Sequence, residues 1–75
     1  MTQLAEHRLE AIADEVERLA DAGEWNLEQF RRLYAAALVA SEGEVRQLEF
    51  FGPFMDTTRF IEEATQLTNE YRSAA

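Results

Sequence analysis

Apolar side chains recur at helical intervals over most of the chain, and no segment alternates apolar and polar positions as a half-buried strand would. In the first segment Ala5, Leu9, Ile12, Val16 and Leu19 follow one another at steps of four and three residues, a heptad-like stripe. Ala13 and Ala20 flank the stripe with small side chains that would let a neighbouring helix approach. The opposite face carries Glu6, Glu10, Asp14, Glu17 and Asp21, and Asp14 precedes Arg18 by four residues, a favourable helical pair. Gly23 can take the left-handed conformation that ends a helix. A helix over residues 2–22 is the expectation.

A sharper start signal follows. Asn26 can cap a helix, and Gln29 stands where a capping box needs its amide. Trp25 and Phe30 occupy the two positions of a hydrophobic staple, and Glu28 pairs with Arg32 four residues on. The helix therefore begins at Leu27. Its end is open to two readings. Leu27, Phe30, Tyr34, Ala37, Ser41, Val45, Leu48 and Phe51 share one helical face, which favours a single helix over 27–51, bent near Ser41 to Gly43. Alternatively Ser41 and Glu44 form a second capping box and a new helix starts near Glu42. Gly52-Pro53 breaks the pattern, because proline cannot extend the hydrogen-bond ladder and disfavours helix in the residue before it. Asp56 or Thr57 can cap a last helix over 58–72, with Phe60, Ile61, Ala64, Leu67 and Tyr71 apolar and the end beyond it fraying. The fold class expected is all-α, a small antiparallel bundle of three helices, or four if the middle one breaks, forming one domain over 1–75.

Length changes this picture. A chain of 75 residues buries only about 60% of the surface its unfolded form exposes. Small domains commonly need a disulfide, a metal or a partner subunit, and with no cysteine there is no disulfide and no thiolate site. Very good helix packing or self-association remains. The expected partner is a protein: a second copy in a homo-oligomer such as a dimer, or the other subunits of a larger complex.

Charge narrows the partners. Fifteen acidic residues face seven basic ones, all arginine, for a net charge of −8. Phosphate binding rests on clustered positive charge, so direct nucleic-acid binding is not expected, and an anionic membrane surface is disfavoured. The start of the chain lacks the basic run and apolar stretch of a signal peptide, and the longest apolar run, 34–40, is far short of the ~20 residues of a membrane span. A cytoplasmic protein is the expectation.

Candidate chemistry is thin. His7 is the sole histidine and lies beside Glu6 and Glu10 on the polar face, without the carboxylates and histidines of facing helices that a di-iron site needs. Ser41 reads as a cap and Ser73 as part of the tail, and the three glycines form no phosphate-cradling loop. No catalytic residue, cofactor or metal site is assigned, and no enzymatic activity is expected.

Two surfaces stand out instead. Phe50, Phe51, Phe54 and Met55 crowd around the Gly52-Pro53 turn, and a core this small is not expected to bury all four. Left exposed, they would anchor a partner, together with the stripe of Leu9, Ile12, Val16 and Leu19. The bland alternative is a plug that fills the end of the bundle. The second surface is acidic: residues 1–25 hold seven acidic and two basic side chains. Glu10, Asp14, Glu17 and Asp21 could imitate nucleic-acid charge and block a basic site on a partner, the device of phage-type inhibitors. The leading expectation is a non-enzymatic helical interaction or assembly module, and the competing one is the acidic decoy.

Overall fold

The computed structural model describes residues 3–23 and 25–74. Among them are three α-helices and one 3₁₀ segment, and no strand: α1 (Gln3–Ala22), α2 (Leu27–Ala40), the 3₁₀ segment (Val45–Phe54) and α3 (Thr58–Ala74). The protein is an all-α bundle of four helical elements, as the apolar periodicity predicts. Thr2, placed by the periodicity at the start of the first helix, lies outside the described residues. The last helix runs on through Ser73 and Ala74, where fraying was expected.

The start of α2 forms as its residues dictate. The Asn26 side chain accepts from the Gln29 backbone N–H at 2.9 Å, and the Gln29 side chain accepts from the Asn26 N–H at 2.9 Å. Both reciprocal bonds of the capping box are thus made. The staple is closed indirectly. Trp25 stacks on Phe54 with centroids 3.8 Å apart and planes 13° from parallel, and meets Phe60 at 4.5 Å. Phe30 meets the same two rings, at 6.1 Å and 5.1 Å.

The single helix favoured over 27–51 does not form. The helix ends at Ala40 in a Schellman motif. The Gly43 N–H donates to the Leu38 carbonyl at 2.9 Å and the Glu42 N–H to the Val39 carbonyl at 3.2 Å. Two successive left-handed residues produce this stop: Glu42 at φ 56° and Gly43 at φ 81°. A helix cannot absorb two such residues, whatever the apolar pattern across them. Glycine at 43 also has a packing reason, since a Cβ there would lie 2.9 Å from Tyr71 Cε1. The alternative capping box does not form either. Ser41 closes α2 rather than opening a new helix, its hydroxyl donating to the Leu38 carbonyl at 3.4 Å, and Glu44 provides no side-chain cap for the 3₁₀ segment.

In the 3₁₀ segment the period is three rather than 3.6. From Leu48 on, Leu48, Phe51 and Phe54 accordingly fall on one side and are buried, whereas Val45, three residues earlier and before the kink at Leu48, is 41% exposed. Its backbone departs from helical geometry at Leu48 (φ −102°, ψ 20°), so two short stretches meet at a kink.

Successive elements alternate in direction. The first half of α1 (Arg8, Ala11, Ile12) lies against the end of α2 (Ala36, Val39, Ala40), and Leu19 lies near Gln29 and Leu33, an antiparallel pair. The 3₁₀ segment returns the chain, so α3 runs parallel to α2: Phe30 meets Phe60, Arg31 pairs with Glu63 at 2.7 Å, and the Tyr34 hydroxyl lies 3.4 Å from Thr68 Oγ1. Helix α2 is thus flanked by α1 and α3. Its inner face (Phe30, Tyr34, Ala37, Leu38) and the 3₁₀ segment's Leu48, Phe51 and Phe54 make the core with Leu9, Val16 and Leu19 of α1 and Ala64 of α3.

Candidate functional site

The aromatic turn belongs to the protein's own core. Phe54 is completely buried and Phe51 very nearly so, while Phe50 and Met55 are half-buried against the same cluster. Phe30 sits among these rings, with edge-to-face contacts to Phe51 at 5.6 Å and Phe54 at 6.1 Å. The exposed anchor expected at Phe50, Phe51, Phe54 and Met55 is therefore corrected at Phe51 and Phe54, which are the plug, while Phe50 and Met55 keep part of their surface open. The same holds for the α1 stripe, where Leu9, Val16 and Leu19 are buried and Ile12 is packed partly against the core. A 3₁₀ geometry explains how so small a bundle takes up so many rings. Past the kink at Leu48 it aims every third side chain inward, and so carries Leu48, Phe51 and Phe54 to one place.

The acidic residues go where the sequence put them. Glu10, Asp14, Glu17 and Asp21 are all exposed on α1, and none is ion-paired with a described residue. Arg18 bridges Glu15 rather than Asp14, its Nε donating to Glu15 Oε2 at 3.1 Å. That hydrogen bond, with the guanidinium charge behind it, holds the Glu15 carboxyl below its ordinary range. His7 is exposed, and among the described residues no group of three or more His, Cys, Asp or Glu is placed to hold a metal ion.

A surface that the sequence reading passed over lies on the outer side of α2. At 100° per residue, Glu28, Arg32, Ala35, Ala36 and Val39 project opposite Phe30, Tyr34 and Ala37. Along that ridge the character changes. Its first half is charged, with Glu28 and Arg32 paired at 3.8 Å. Its second half, Ala35, Ala36 and Val39, carries no polar side chain, and Val39 is 61% exposed. Two grooves flank Val39. One, toward α1, is lined by Arg8, Ala11, Ile12, Ala36, Val39 and Ala40. The other, toward α3, is lined by Ala35, Leu38, Val39, Leu67, Glu70 and Tyr71. Leu4, one helical turn from Arg8 on α1, is also 61% exposed. The two grooves contain one arginine and one glutamate, a neutral and largely apolar patch on a molecule of net charge −8. A further exposed apolar side chain, Ile61 at 47%, stands on α3 beside Glu62, Thr65 and Gln66, and also borders a groove walled by Tyr34, Val45 and Met55 whose far end carries Thr68, Asn69 and Arg72.

A single signal in the sequence could have revealed this face. Ala35, Ala36 and Val39 continue the outward positions of Glu28 and Arg32, so the polar side of α2 stops being polar halfway along. Among the described residues no helix is long and apolar enough to cross a membrane. No family model matches the chain, and no curated protein or solved structure is significantly similar to it.

Proposed function

We propose that the protein is a non-enzymatic helical interaction module that docks another protein through the Val39 face. The observation that carries this reading is the exposed Val39 between two apolar grooves, in a charge-poor area of an otherwise acidic surface. Apolar area depleted of charge is the composition of an interface centre, and Arg8 and Glu70 at its edges have the character of a polar rim. A cytoplasmic setting belongs to this reading, and the lack of cysteine is compatible with it.

The test uses immobilised wild-type protein and a Val39→Lys variant in an extract of the source organism, with bound proteins identified by mass spectrometry. Proteins held by the wild type and lost from the variant are the expected result. Identical sets on both would overturn the reading.

A second reading rests on a different observation. Glu10, Asp14, Glu17 and Asp21 form one exposed stripe along α1 without described ion-pair partners. Such a stripe suits a decoy that occupies a basic, nucleic-acid-binding groove. It predicts partner binding that falls steeply with salt and weakens when Glu10, Asp14 and Glu17 become glutamine. Docking at Val39 predicts binding that tolerates both changes.

A further inference from the structure

We infer that the occupant of the Val39 face is a second copy of this chain, packed with the two α2 helices parallel and a twofold axis beside Val39. The inference rests on the docking reading above and adds the partner and its orientation. It comes from where the patch places its charges. Arg8 edges the groove on the α1 side and Glu70 edges the groove on the α3 side, and Val39 lines both grooves. The two charges therefore sit at a similar height along α2 and on opposite sides of it. Arg8 makes no ion pair with a described residue, and Glu70 holds only a 3.2 Å hydrogen bond from Gln66 on its own helix.

A two-fold contact must be self-complementary, since the same patch serves both copies. Two simple orientations bring Val39 against Val39. With the axis across α2, α1 faces α1 and α3 faces α3, so Arg8 meets Arg8 and Glu70 meets Glu70. With the axis along α2, α1 of each copy lies over α3 of the other, so Arg8 meets Glu70 twice. Like charges brought together in an interface are costly, and opposite charges fix the register. The charges thus select the parallel arrangement. In it the small side chains of Ala35 and Ala36 let the two α2 ridges approach closely beside Val39, and the exposed Leu4 reaches the end of the partner's α3. The same pairing keeps the centre of the acidic stripe of α1, on the far side of that helix from Ile12, out of the contact.

The test is sedimentation equilibrium of the full chain, from about 5 to about 500 µM, with a charge-swap series. The wild type is expected to dimerise. Arg8→Glu alone and Glu70→Arg alone should each weaken the dimer at least about tenfold, since each creates two like-charge contacts per dimer. Arg8→Glu with Glu70→Arg should restore it. Arg8→Glu with Glu49→Arg returns the net charge without the pair and should not. Circular dichroism keeps folding in view, and neither reversal opposes its helix dipole, acid being placed toward the start of α1 and base toward the end of α3. In addition Val39→Cys, in a chain without other cysteines, should crosslink on oxidation much faster than Ile61→Cys.

A chain that stays monomeric throughout overturns the inference. So does a dimer that is indifferent to single reversals or is not rescued by the double swap. Neither result touches the docking reading, which fails separately if Val39→Lys leaves every captured protein in place.

Discussion

The two sides of α2 are built from different materials and meet different fates. Its inner side presents Phe30 and Tyr34 to a 3₁₀ segment that returns Phe51 and Phe54, and the rings close over one another at centroid distances of 5.1 to 6.2 Å. Its outer side presents two alanines and a valine, and the described residues leave Ala36 and Val39 exposed and Ala35 only partly covered. The conspicuous aromatic stretch serves the fold, and the inconspicuous small residues are left to the solvent. Apolar residues that are large can fill a core from a distance. Small ones are useful where backbones must come close, and among the described residues no helix packs over Ala36 and Val39.

The comparison breaks most directly at Phe54. Truncation to alanine should cost about 3–5 kcal/mol, the range for emptying a buried aromatic site. For a small domain whose whole stability lies near the lower end of about 5–15 kcal/mol, that leaves little folded protein. Urea unfolding followed by circular dichroism measures it. A cost under about 1 kcal/mol would mean that the turn is not the core, and the expectation of an exposed aromatic anchor would return.

The second break is at the stop that separates the sides. Gly43→Ala forces a Cβ into a left-handed residue and against Tyr71, and should cost about 2 kcal/mol. Gly23→Ala shares the left-handed backbone but meets open space, so it should cost about 1 kcal/mol. The difference between the two, read from paired thermal melts, isolates the Tyr71 contact. Equal losses would show that α3 does not press on the stop.

That stop also explains what the sequence could and could not reveal. The α2 start was legible because every part of it is local: Asn26, Gln29 and the bonds between them span four residues. The end was not legible because its left-handed residue at the critical position is Glu42, not a glycine, and because the glycine beside it answers to Tyr71, 28 residues away. The apolar period then misled in the 3₁₀ segment. Steps of three at Leu48, Phe51 and Phe54 fit a 3₁₀ helix, but Tyr34, Ser41 and Val45 could be threaded onto the same α-helical face. The acidic stripe of the candidate sites was legible in full, since charge patterns on a surface helix need no tertiary partner to be seen. The Val39 face was not, because alanine reads as filler until a structure shows what lies over it.

A smaller effect tests the local part of this account. Asn26→Ala removes the capping box and should cost about 1 kcal/mol, with α2 still formed and the ring cluster intact. Near-ultraviolet circular dichroism, which reports Trp25 stacked on Phe54, should keep its shape. A collapse of that signal would mean that the cap, rather than the aromatic core, positions α2.

The smallest expected effect on the fold falls at Val39, and its smallness is the argument. Valine is a poorer helix former than lysine, and a positive charge in the last turn of α2 suits the helix dipole. Val39→Lys should therefore leave the monomer within about 0.5 kcal/mol of the wild type, in the range of an ordinary surface change. Its effect should show elsewhere. If two copies meet at Val39, the wild-type melting temperature rises with protein concentration, because association favours the folded state, and the variant's does not. Ile61→Lys, at another exposed apolar position, should keep the wild-type concentration dependence. A loss beyond about 1 kcal/mol in dilute Val39→Lys would place Val39 among the residues that hold the fold, and the outer side of α2 would then be a second wall of the core rather than a free face.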